Sequence, residues 1–129
     1  MMYRNQPLRV LIVDAEPDVR DLLKAEFDDS GFMTYTAEDY AAAIQKMNAN
    51  PIDYIIANID IAPGGGIKLL EYIKNQHMSI MQVIMMCSRF DQALFNEIWA
   101  KGADAVLSKP LDFDLLIDHI RRAHAAKAS

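Results

Sequence analysis

The chain has 129 residues, 52% of them apolar and 24% charged, with five glycines and five prolines. That is enough for one domain around one core and too little for two, and it excludes a disordered, collagen-like or proline-rich chain. Thirteen Lys and Arg against eighteen Asp and Glu give a formal charge of −5, with no long run of either sign, so direct nucleic-acid binding by this domain is not expected.

The first β-branched run, Leu8 to Val13, is too short for a helix and stops at Asp14, which predicts a buried strand. Pro17 then stands where a first-turn proline is tolerated, and Val19, Leu22, Leu23, Glu26 and Phe27 follow at helical spacing until Ser30-Gly31 supplies the stop. The alternation repeats. Strands are predicted over 32–36, 52–58, 81–87 and 103–108, and helices near 39–48, 66–75, 91–101 and 112–125. Strands apolar along their whole length and separated by helices belong in a parallel sheet covered on both faces, so the expected fold is a doubly wound α/β sandwich of five strands and five helices. In such sheets function gathers just past the carboxyl ends of the strands. Here those positions are Asp14, Ala15 and Glu16; Asn58 and Asp60; Cys87 and Ser88; and Lys109.

The lone Cys87 cannot form an internal disulfide, and His77, His119 and His124 do not combine with it at a zinc-ligand spacing. No metal site is expected from them, and a reducing, cytoplasmic location is. The longest apolar stretches are far shorter than a membrane span, and the start Met1 to Pro7 has no apolar signal core behind it.

Residues 8 to 125 resemble the receiver domain of response regulators, the CheY-like module of bacterial two-component phosphorelay signalling. The resemblance rests on Val10-Leu11-Ile12-Val13-Asp14-Ala15-Glu16-Pro17, on Asp53-Tyr54-Ile55-Ile56-Ala57-Asn58, and above all on Gly102-Ala103-Asp104-Ala105-Val106-Leu107-Ser108-Lys109-Pro110. It implies a sheet of order 2-1-3-4-5 and a single receiver domain over 1–129. In the family, an acidic pair and a third Asp hold magnesium, the third Asp accepts a phosphoryl group from a histidine kinase, a Ser or Thr senses it, and a Lys pairs with it. Position by position, Asp14 matches the first acid and Lys109 the lysine. Ala15 replaces the second acid, Asn58 the phospho-acceptor, Cys87 the Ser or Thr, and Val106 the aromatic often found there.

Those substitutions alter the expected chemistry. An amide has neither the charge nor the nucleophilic oxygen that attack on phosphorus requires, and one matched carboxylate of three is a poor magnesium site. The expectation is therefore a degenerate, non-enzymatic receiver with no cofactor and weak or absent magnesium binding, acting as a protein-binding or dimerisation module. The alternative is a phospho-accepting receiver that uses Asp60 or another acid with magnesium; Glu16, Asp60 and Ser88 stand at the pocket rim. Lys109 has two available partners, Asp14 and the carbonyl oxygen of Asn58.

Pro63-Gly64-Gly65-Gly66 lacks the lysine and the spacing of a phosphate-binding loop and reads as a mobile connection. Cys87 follows Val83, Ile84, Met85 and Met86 and is expected to be buried and inert, and the methionines Met78, Met81, Met85 and Met86 to be mostly core. On the fourth helix Leu94 and Ile98 form one stripe and Phe95 and Trp99 its neighbour. The family geometry implies that the second stripe leans, beside Val106, toward the face of the fourth helix, fifth strand and fifth helix, where receivers dimerise or bind targets. Arg121 and Arg122, the only adjacent basic pair, are weak support for a small-ligand sensor.

Overall fold

Ten elements alternate in the computed structural model, which describes residues 7–62, 64–76, 81–88 and 91–128. They are β1 (Arg9–Val13), α1 (Pro17–Asp29), β2 (Met33–Ala37), α2 (Tyr40–Ala49), β3 (Tyr54–Asn58), α3 (Gly65–Asn75), β4 (Gln82–Cys87), α4 (Gln92–Ala100), β5 (Ala105–Ser108) and α5 (Phe113–Ala128). Met1 to Gln6, Pro63, His77 and Met78 lie outside the described residues. The strands form one parallel sheet in the order β2-β1-β3-β4-β5, the arrangement the resemblance implies.

Local chemistry explains where the helices start. Pro17 opens α1, and Asp39, Asp91 and Asp112 each accept a hydrogen bond from a backbone amide three residues on, at 2.8, 3.1 and 3.1 Å. Each such cap satisfies one orphan amide and is worth about 1 kcal/mol. The second strand begins one residue later than predicted. Phe32 is turned into the core instead, its ring 5.1 Å from and edge-on to that of Phe27, and its N–H closes the end of α1 on the Phe27 carbonyl.

The period of two along each strand divides the core between the sheet's faces. Leu11, Val13, Ile55, Ala57, Val83 and Met85 pack beneath α2, α3 and α4 with Leu69, Ile73 and Ile98. Val10, Ile12, Ile56, Ile84 and Met86 pack on the opposite face with Leu23, Phe27, Leu116 and Ile120 of α1 and α5. Met81, Met85 and Met86 are core residues.

Side-chain carboxylates finish the amino ends of two strands. Asp53 Oδ2 accepts the Arg9 N–H at 2.8 Å and lies 3.4 Å from Arg9 Nε. Asp104 Oδ2 accepts the Val83 N–H at 2.8 Å, with Lys74 Nζ 3.7 Å away. At the opposite edge the strand order reverses between β1 and β3, leaving the crevice at their carboxyl ends where α/β folds place their ligands.

Candidate functional site

Register alone brings the first two site residues together. β1 and β3 pair Val10 with Tyr54 and Ile12 with Ile56, so the next step of the same parity sets Asp14 beside Asn58, with both side chains on one face. Asp14 is completely buried and Asn58 nearly so; they are the two buried polar residues among those described. Lys109 is drawn in from β5, its N–H donating to the Cys87 carbonyl at 2.8 Å.

Asp14 is the hub. Its Oδ2 accepts from Asn58 Nδ2 at 3.1 Å and from Lys109 Nζ at 3.2 Å, and its Oδ1 accepts from the Glu16 N–H at 3.0 Å. Its main-chain carbonyl accepts from Arg20 Nη1 at 2.6 Å. Three donors on the carboxylate and one cation in contact satisfy the rule that a buried charge must be both paired and hydrogen-bonded. Of the two partners open to Lys109, the structure gives Asp14; the Asn58 carbonyl oxygen instead accepts from the Asp60 N–H at 2.9 Å. Asn58 is thus used in both directions, with its amide orientation fixed by a donor on one side and an acceptor on the other.

Around this pair, Ala15, Glu16, Asp60 and Ser88 are exposed at the rim. Cys87 is buried, and burial raises its thiol above the ordinary value, with the charges of Asp60 and Asp91 adding to the effect. That favours the neutral, unreactive form. Among the described residues no three His, Cys, Asp or Glu side chains converge as a metal cluster would.

The glycine loop is more constrained than a mobile connection. Gly65 has φ +83°, a left-handed conformation, and its N–H donates to the Ile61 carbonyl at 2.8 Å. At Gly66 a Cβ would stand 2.7 Å from both the main-chain carbonyl oxygen of Asn58 and Met85 Cε, and 2.9 Å from Ile59 Cα. This glycine lets α3 pack directly on the strand end that carries Asn58.

The α4 stripes separate differently from the expectation. Ile98 is fully buried, Leu94 and Phe95 are both half-buried against the core, and Trp99 is 50% exposed. Phe95 and Val106 line a groove of about 420 Å³ with Leu115, Leu116 and His119, between α4 and α5. Trp99 stands outside it. His119 and His124 are exposed. The basic pair is already engaged: Arg121 Nη2 donates to the Ser30 carbonyl at 2.7 Å, and Arg122 Nη2 is 2.9 Å from Asp118. Arg20, which holds the Asp14 carbonyl, had no sequence signal.

The response regulator receiver domain profile matches residues 10–121. The chain belongs to that family. The phosphate regulon transcriptional regulatory protein PhoB of Escherichia coli is 26% identical to this receiver over 114 residues, 88% of this chain and 50% of PhoB. The response regulator protein PilR of Pseudomonas aeruginosa is 28% identical over 116 residues, 89% of this chain and 26% of PilR. The receiver therefore spans half or less of these relatives' lengths. Among solved structures, a two-component response regulator from Clostridium difficile superposes with a TM-score of 0.88 at 24% identity, covering 95% of this chain and 99% of its own. NtrX from Brucella abortus, solved in complex with ADP, gives 0.83 at 29% identity, over 91% of this chain and 27% of its own. No helix among the described residues is long and apolar enough to cross a membrane.

Proposed function

We propose that this receiver domain is atypical: it is not phosphorylated at the usual position, and it works as a phosphorylation-independent protein-binding or dimerisation module within two-component signalling. The observation that carries the reading is the double occupation of Asp14 Oδ2 by Asn58 Nδ2 and Lys109 Nζ. An amide stands where the family's nucleophile belongs, and the lysine that would meet the phosphoryl group is bound to the one matched acid.

The donor set does not fit the family's magnesium ion. Magnesium takes carboxylate and water oxygens in near-octahedral array, whereas Ala15 offers none and Asp14 already meets a cation. Weak or absent magnesium binding follows, and the domain acts without a cofactor and without catalysis. The partner face is assigned to α4, β5 and α5, where the exposed Trp99 stands near the groove lined by Phe95 and Val106. Its occupant is a protein or a second copy of the receiver; DNA contact in a longer protein would fall to other regions. A reducing, cytoplasmic setting agrees with the free Cys87.

The test is the intact mass after incubation with a small-molecule phosphodonor and magnesium, with Asn58→Asp beside the wild type. The expected result is no gain of a phosphoryl group by the wild type. A gain would overturn the reading, and mapping it to Asp60 would install the alternative in which that exposed acid is the acceptor.

A further inference from the structure

At the edge of the sheet opposite β5, β2 pairs with β1 alone, and the phase of that pairing fixes which of its backbone groups are used. The Met33 N–H donates to the Leu8 carbonyl at 2.9 Å, and the Ala37 carbonyl accepts from the Asp14 N–H at 3.1 Å. Met33, Tyr35 and Ala37 therefore turn their amides and carbonyls toward β1, and by the alternation of a parallel ladder those of Thr34 and Thr36 point away from the sheet. Free edges are usually blunted by a lysine, a proline or a bulge. The stretch from Gly31 to Ala37 contains no charge and no proline, and the register with β1 runs unbroken through β2.

This edge is complementary to itself. An antiparallel copy with its two-fold axis at Tyr35 places Thr34 opposite Thr36 of the second copy and Thr36 opposite its Thr34. Each pair then exchanges two main-chain hydrogen bonds, and every outward N–H and C=O of β2 is used. The side chains sort as well: threonine meets threonine, a favoured cross-strand pair, on the α1 face, while Tyr35 meets its own copy on the α2 face. Thr34 Oγ1 is buried and makes no hydrogen bond of its own, since the Asp28 carboxylate beside it is taken by Lys24 at 2.7 Å; the pairing brings it a hydroxyl. Charges match beyond the strand. One residue further in the same register, Phe32 stands opposite Glu38 of the second copy. The Arg121 guanidinium lies 5.8 Å from the Phe32 ring centroid, and neither Arg121 nor the exposed Glu38 has an ion-pair partner within 4 Å among the described residues. At each end of the seam a guanidinium of one copy thus faces a carboxylate of the other.

We infer that the free edge of β2 pairs with β2 of a second copy of this chain, antiparallel about Tyr35, and continues the sheet through both molecules. A strand of five residues buries far less than the roughly 800 Å² per partner of a stable complex, so the association is weak and reversible, with a dissociation constant between micromolar and millimolar. The inference does not depend on whether the Asn58 pocket takes a phosphoryl group, and a copy seated on β2 leaves the α4-β5-α5 face open at the other edge of the sheet.

The test is hydrogen exchange of the full chain, read amide by amide at micromolar and at millimolar concentration, with sedimentation of the same samples. In a single chain the Thr34 and Thr36 amides have no strand partner and exchange fast, while Tyr35 and Ala37 are protected by β1. Raising the concentration should produce dimer and slow Thr34 and Thr36 severalfold with Tyr35 little changed, an alternation that an interface built on helix faces does not produce. Thr36→Pro removes an N–H that β1 does not use; it should keep the Tm within a few degrees and return Thr34 to fast exchange at every concentration. Glu38→Arg, at an exposed position, should weaken the dimer by a smaller factor, and with the wild-type alternation it decides the matter if Thr36→Pro does not fold. A chain that is monomeric at millimolar concentration, a dimer whose Thr34 and Thr36 amides exchange as fast as in the monomer, or a dimer that neither substitution weakens would each overturn the inference.

Discussion

Replacing Asn58 by Asp tests the electrostatics of the pocket directly. The substitution preserves size and removes a donor: the 3.1 Å hydrogen bond from Asn58 Nδ2 to Asp14 Oδ2 becomes two carboxylates facing each other. At an effective dielectric of about 20, like charges about 4 Å apart repel by roughly 4 kcal/mol, and the lost hydrogen bond to a charged group adds about 1–3 kcal/mol. Lys109 Nζ, 3.2 Å from the shared oxygen, already pairs with Asp14 in the wild type, so only its attraction to the new carboxylate is gained, and this offsets about half of the cost. The net loss is then about 3 kcal/mol, which lowers the Tm of a domain of this size by about 10 °C. Thermal unfolding followed by circular dichroism, at neutral pH without magnesium, measures it. The sign of the pH dependence is a second check. The introduced carboxyl has its folded-state pKa raised by the neighbouring charge, so the variant's deficit is full above that raised value and shrinks as pH falls through it, vanishing only below the ordinary carboxylate range, where the carboxyl is protonated in both states. An Asn58→Asp protein as stable as the wild type at neutral pH, or a deficit unchanged by acid, would refute the account of Asp14 as a carboxylate that needs the Asn58 amide.

Three other outcomes follow from the same geometry. Lys109→Met leaves the fully buried Asp14 with hydrogen bonds and no cation in contact, and should cost about 3 kcal/mol in chemical denaturation, toward the low end for breaking a buried pair because Lys109 is itself partly exposed. Gly66→Ala drives a Cβ onto the Asn58 carbonyl and Ile59 Cα, backbone atoms that cannot swing away; a loss of about 1–3 kcal/mol is expected from the same measurement. Cys87 should react slowly with a thiol reagent in the native protein at mildly alkaline pH and rapidly in urea, because burial raises its thiol. The accompanying stability term is fully present below the ordinary thiol pKa and declines as pH rises through the alkaline range toward the raised folded value.

The centre of the sheet was legible in the sequence because β1, β3 and β4 are nearly continuous apolar runs with a polar residue at or just past their ends, a pattern that little besides a doubly covered parallel strand produces, whereas the edge strand β2, with Thr34 and Thr36, followed only from the alternation of elements. The boundaries were less so. Phe32 looks like a strand residue by composition, and only its edge-on contact with Phe27 and its N–H on the Phe27 carbonyl show that it closes the end of α1. Asp14, Asn58 and Lys109 could be named in advance because strand ends fix their places. The partner of Lys109 could not, since the choice between Asp14 and the Asn58 carbonyl depends on where the Asp60 amide sits. Arg20 was invisible because a contact between a helix residue and a main-chain carbonyl six positions back leaves no pattern of types. The glycine run misled in the other direction: three glycines read as freedom, whereas Gly66 is there because two pieces of backbone nearly touch. Phe95 and Trp99, neighbours on one helical stripe, part company because Phe95 reaches the groove beside Val106 while Trp99, one turn further on, stays outside it.

The carboxylates at the amino ends of the strands bear on motion as well as on folding. The first amide of a strand ordinarily frays and exchanges with solvent early, yet the Arg9 amide is held by the Asp53 side chain, and Val83, the second residue of β4, by Asp104. These amides should exchange as slowly as those in mid-strand, and Asp53→Ala or Asp104→Ala should release one or the other. A sheet clamped in this way at the amino ends of its strands gives a partner pressing on the groove beside Phe95 a base held by side chains as well as by the strand ladder.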